Sequence, residues 1–134
     1  MTTQARGPFD VKVNPLDAYN KDEGAGLARM SIDKQYHGDL EATSKGEMLA
    51  AGSGGKGASG GYVALERVSG TLHGRGGSFV LQHNATMTRG EPHLNIIVVP
   101  DSGTGALGGL SGKMMIIIAD GKHSYEFDYI LPSA

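Results

Sequence analysis

The chain has 134 residues, a formal net charge of −2 and no cysteine, which excludes disulfides, iron–sulfur clusters and thiolate zinc sites. With 39% hydrophobic and 19% charged residues, residues 1–134 read as one globular domain, and the scattered lysines and arginines form no basic stripe for nucleic acid. No apolar run approaches membrane-spanning length, the N-terminal MTTQARGPFDVKV lacks a basic-then-apolar signal pattern, and the expected location is the cytoplasm.

From Gly7 to Val13, Phe9, Val11 and Val13 alternate with Asp10 and Lys12, which predicts a first strand. Asn14 to Gly26 reads as a polar loop. Leu27 to Tyr36 places Met30, Ile32 and Tyr36 on one face against Ser31, Asp33 and Gln35, and Leu40 to Ala50 continues in β fashion after His37-Gly38-Asp39, a hairpin turn or a bulge. Gly52 to Gly61 (GSGGKGASGG) is a glycine-rich loop.

The next stretch, Gly60 to Met87, is the most informative. Tyr62, Ala64, Glu66, Val68 and Leu72 share one mostly apolar face. After a turn expected at Gly76-Gly77, Phe79, Leu81, His83, Ala85 and Met87 share another. Then come a strand over His93 to Val99, a connection DSGTGALGGLSG with room for one helical turn, and a final hairpin of Lys113–Ala119 and His123–Leu131 joined by Asp120-Gly121. Eight short strands with short connections predict an all-β fold, a single closed antiparallel eight-stranded barrel, with a sandwich as the competing architecture. The 22 glycines, about 16% of the chain against roughly 7% in ordinary proteins, serve as turns, bulges and close strand crossings.

Two glycine motifs suggest phosphate binding and fail on context. Gly103-x-Gly105-x-x-Gly108 follows a strand but opens no crossover helix, and Gly55-Lys56 is followed by Gly57 rather than Ser or Thr. The histidines His37, His73, His83, His93 and His123 never stand at i, i+2 or i, i+4, so no local chelate forms and no metal or cofactor is expected. His73 and His123 abut glycine turns, where a solvated ring is the expectation. Asn84-Ala85-Thr86 matches a glycosylation acceptor, a chance match without a secretion signal.

Glu66 and His83 are the anomaly. If the alternation holds, both point the same way as their oily neighbours, and a lone buried carboxylate costs several kcal/mol unless paired or hydrogen-bonded. One bulge would instead swing Glu66 to solvent. Inward, the two form either an acid–base pair or a structural hydrogen bond. Tyr36, Tyr62, Tyr125 and Tyr129 stand mainly on apolar faces, so the candidate ligand-contacting residues are Glu66, His83, Tyr62, Tyr125 and Tyr36. Arg67, Asp33 and Gln82 fall on the outer wall. No nucleophile elbow appears among the serines.

The pieces RMSIDKQYHGDLEATSKGEM, GGYVALERVSGTLHGRGGSFVLQHNATM, VVPDSGTGALGGLSG and DGKHSYEFDYIL, between Arg29 and Leu131, resemble a bacterial domain family of unknown function whose members adopt an allene-oxide-cyclase-like, calycin-like barrel. SGTGALGGLSG is also similar to the glycine-rich connection of plant allene oxide cyclases and dirigent proteins. The resemblance implies a closed, self-associating barrel, a homo-oligomer. The plant cyclases bind a fatty-acid epoxide in an apolar lumen and guide its ring closure, but their catalytic positions find no residue-by-residue match here. Three functions stay open: a barrel holding a small apolar or amphipathic molecule, a cofactor-independent cyclase or isomerase using Glu66 and His83, and a filled structural barrel.

Overall fold

A computed structural model describes residues 2–24, 26–52 and 58–132. Eight strands follow in order: β1 (Thr3–Leu16), β2 (Leu27–Tyr36), β3 (Leu40–Gly52), β4 (Gly60–Leu72), β5 (Arg75–Thr88), β6 (Glu91–Val98), β7 (Ser111–Ala119) and β8 (Lys122–Ile130). Each pairs antiparallel with the next, and β1 pairs with β8, so the sheet closes into a barrel. Closure gives every strand two neighbours, although β6 and β7 meet through only two residue pairs. The glycine-rich loop read over Gly52 to Gly61 falls partly outside the described residues, at 53–57.

Several predicted boundaries differ; β1 already starts at Thr3 rather than Gly7, since Thr3 to Arg6 pair with Tyr129 to Glu126 on β8. β1 runs to Leu16 instead of stopping at Val13, because Asn14 and Leu16 find partners in Ser31 and Arg29 on β2. The β4–β5 turn lies at His73-Gly74, and Gly76 and Gly77 are strand residues of β5. Positive φ at both His73 and Gly74 (46° and 79°) gives the two-residue turn whose twist suits a hairpin. Gly77 is needed for another reason: a β-carbon there would overlap the Thr104 carbonyl oxygen.

Residues directly opposite each other in an antiparallel pair share a face of the sheet. The inward face therefore carries Phe9, Tyr36, Val68, Phe79, Leu81, Ile96, Val98, Met114 and Phe127, the buried core. One end of the barrel is sealed by the β6–β7 connection. Its single 3-10 turn, Gly105–Leu107, sets Leu107 beneath β5, and Leu110 is buried beside it. Thr104 ties this plug to Ser78, through its N–H to the Ser78 carbonyl (2.8 Å) and its hydroxyl oxygen to the Ser78 N–H (3.0 Å). The would-be nucleotide motif is thus a lid on the closed end.

The other end, the mouth, is more exposed. Moving toward it along the same inward face, exposure rises to 45% at Val13, 40% at Leu94, 41% at Met87 and 67% at Ile118. On that side lie, among the described residues, the ends of β1 and β3 and the turns at Arg89-Gly90 and Asp120-Gly121. Among the described residues, no helix is long and apolar enough to cross a membrane.

Candidate functional site

The β4–β5 register runs without a bulge from Gly60 opposite Met87 to Leu72 opposite Arg75. The alternation therefore holds, and Glu66 and His83 both face the lumen, 1% and 3% exposed. Glu66 stands between Gly46 on β3 and Leu81 on β5; His83 stands one layer nearer the mouth, between Ala64 and Ile96. His83 Nε2 lies 2.6 Å from Glu66 Oε2.

Two further donors converge on the carboxylate. Lys34 Nζ donates to Oε2 at 2.8 Å, and the Tyr36 hydroxyl donates to Oε1 at 2.5 Å. The Lys34 ammonium also lies 5.1 Å from the Phe9 ring centre and 5.6 Å from that of Tyr36, with the buried Ser44 opposite Lys34 on β3. Burial alone would raise the Glu66 carboxyl. The His83 hydrogen bond and the Lys34 charge outweigh it and bring the group down to about 2. Tyr36 moves the opposite way: burial first, then the neighbouring Glu66 charge, raises its phenol well above the usual value, so it remains a proton donor.

Of the residues expected from sequence, Glu66, His83 and Tyr36 meet in this cluster. Tyr62 is half-buried one layer closer to the mouth, its ring centre 6.2 Å from that of His83. Burial and the Glu66 charge raise its phenol too. Tyr125 packs edge-on against Tyr36 at 5.6 Å, but its hydroxyl serves the β2–β3 turn, accepting from the Leu40 N–H (2.8 Å) and donating to the His37 carbonyl (2.7 Å). Burial pushes that phenol up to about 12. Lys34 is the member that the sequence reading passes over, although it lies between Ile32 and Tyr36 on the apolar face of β2.

The other histidines play separate parts. His123, expected in solvent, faces inward and half-buried with its ring 5.3 Å from Phe9, because β8 closes on β1 there. His73 shares a hydrogen bond with the Tyr129 hydroxyl (2.6 Å) at the closed end. Among the described residues, no group of three or more His, Asp or Glu side chains is placed to hold a metal ion.

Two buried side-chain atoms here have no hydrogen-bond partner among the described residues: Ser44 Oγ, on the residue opposite Lys34 across β2–β3, and His83 Nδ1. With Nε2 held by the carboxylate, the ring is fixed in orientation, and its second nitrogen meets no polar group of the cluster. A groove of about 1040 Å³ runs between Asp17 and Tyr19 and the outward side chains Leu49, Val63, Leu65 and Val80, and Glu66 and His83 are among the residues of β4 and β5 that line it.

Among solved structures, the chain is similar to a protein of unknown function of the DUF3224 family from Shewanella oneidensis MR-1. The two are 50% identical, the match covers 100% of both chains, and the TM-score is 0.93. No curated protein matches the chain. The family described as protein of unknown function (DUF3224) matches residues 5–129, nearly the whole barrel from β1 to β8, and the chain belongs to that family.

Proposed function

We propose that the barrel receives one small amphipathic molecule through its mouth, with the apolar part on the inward rim and the polar end against the Glu66 cluster. The observation that carries this reading is the exposure gradient along a single inward face. The same alternation that packs Phe79 and Phe127 solid at one end leaves Val13, Leu94, Met87 and Ile118 wet at the other. Exposed apolar surface above a few convergent polar groups is the composition of a ligand site.

Native mass spectrometry of freshly purified protein tests it directly, and a co-purifying small molecule is the expected result. Titration with the neutral dye Nile red is the companion measurement. Ile118→Asp, at the mouth, should weaken dye binding at least fivefold, while Leu65→Glu on the outer wall leaves it unchanged. No bound mass, together with dye binding that ignores Ile118→Asp, overturns the reading.

A second reading has its own support. A carboxylate 2.6 Å from an imidazole nitrogen fixes the tautomer and orientation of the ring, which suits His83 to take up a proton at Nδ1 in a cyclisation or isomerisation. Here Glu66 is a positioning residue, since three donors already occupy it. With the ligand known, His83→Asn should abolish turnover and change its affinity less than threefold. Retained turnover removes the acid–base role.

A further inference from the structure

The chemistry of the occupant is narrowed by the leftover nitrogen, an inference that rests on the ligand-receiving cup. The Glu66 carboxylate has no proton to give, so the hydrogen shared with His83 belongs to Nε2. In the neutral ring Nδ1 then holds a lone pair, buried and without a donor. No side chain among the described residues donates to it: Lys34 and Tyr36 both point at Glu66, and neither the Ser44 hydroxyl nor the Tyr62 phenol makes a hydrogen bond to it. The neighbours of His83 across the sheet, Ala64 and Ile96, are apolar.

Charge then decides between head groups. A carboxylate would set a second anion near Glu66 and a lone pair against a lone pair, with the Lys34 ammonium already engaged. An ammonium would bury a second cation beside Lys34, while Oε1 of Glu66 already accepts from Tyr36 and Oε2 from Lys34 and His83. A neutral O–H brings one donor and no charge, which is what the site lacks. We propose that the cup selects neutral hydroxyl compounds, an alcohol, phenol or enol on an apolar body, whose O–H donates to His83 Nδ1.

Four compounds built on one ring system separate the possibilities: 2-naphthol, 2-methoxynaphthalene, 2-naphthoate and 2-naphthylmethylammonium, each titrated calorimetrically into the full chain at pH 7. Naphthol should bind at least tenfold more tightly than the other three. In ¹⁵N-histidine-labelled wild-type protein, free His83 should show an unprotonated Nδ1, whose signal moves toward the hydrogen-bonded position as naphthol is added while Nε2 stays protonated. His83→Phe should lower naphthol affinity to that of the methyl ether; should that variant not fold, the wild-type nitrogen titration decides. The ether, carboxylate or ammonium binding as tightly as naphthol, or a protonated Nδ1 in the free protein, overturns the hydroxyl preference and leaves the cup standing. Binding of none of the four overturns both.

Discussion

An ionised glutamate inside a barrel survives only because three donors surround it, and that dependence makes its removal costly. Glu66→Gln keeps an acceptor for Tyr36 but strands the Lys34 ammonium in an apolar lumen. The expected loss is about 3–5 kcal/mol in urea unfolding at pH 7. The mirror change, Lys34→Met, should cost a similar amount, whereas Lys34→Met with Glu66→Leu should cost clearly less than the sum of Lys34→Met and Glu66→Leu alone, because no charge is then left uncompensated. Additive losses would show that the pair is not coupled. Acid gives a third measure. The folded Glu66 carboxyl sits at about 2, below its ordinary 4.5, so its contribution is present above 4.5 and fades as the pH falls toward 2. Wild type should therefore lose about 3 kcal/mol more than Glu66→Gln between pH 5 and pH 2; parallel curves would contradict the ion pair. The inward phase of Glu66 and His83 is legible in the sequence because period-two alternation is unbroken there. Lys34 obeys the same alternation on β2, but buried lysine is rare and its partner lies 32 residues away, so nothing local marks it.

At the scale of elements, turn chemistry explains which boundaries the sequence discloses. Three two-residue hairpins share positive φ at both central residues: His73-Gly74, Arg89-Gly90 and Asp120-Gly121. Only Asp-Gly is a strong signal, since aspartate tolerates the left-handed region and histidine and arginine do so less readily. At β4–β5 the weaker His-Gly turn competes with the adjacent Gly76-Gly77 pair, which looks more turn-like but answers to long-range packing. That packing is the plug. Gly77 lets Thr104 approach, and Leu107 fills the closed end behind it. Leu107→Ala should cost about 2–5 kcal/mol, as large-to-small changes in a close-packed core do. Gly77→Ala should also destabilise, by forcing the Thr104 carbonyl away and breaking its bonds to Ser78. Both are read from denaturant midpoints, and wild-type stability in either variant would mean that the connection merely rests on the barrel end. The plug also borders the thinnest seam, where β6 and β7 pair only through Ile96–Met114 and Ile97–Lys113.

For the molecule as a whole, closure gives every strand two neighbours and leaves two apolar surfaces exposed, the mouth and the outer wall. The mouth belongs to the proposed ligand. The wall carries Leu49, Val63 and Leu65, each more than half exposed, on the adjacent strands β3 and β4. An apolar strip this continuous is unusual on a lone barrel, and the charges beside it are of both signs: Arg29 paired to Glu47 at 2.9 Å, with Lys45 and Arg67 close by. A second copy of the chain offers the same strip and the same mixed charges, so a two-fold contact can match apolar to apolar and acid to base. The resemblance noted in the sequence points to self-association as well, though no local motif encodes it, because alternation reports which side chains face outward and not what they meet there. The expected outcome is a dimer or larger assembly in light scattering across a concentration series. Leu65→Glu should shift it toward monomer without changing the urea midpoint of the isolated barrel or its Nile red binding. A wild-type chain that stays monomeric at high micromolar concentration removes the outer contact, and it does so without touching the lumen, since the two faces of every strand point in opposite directions.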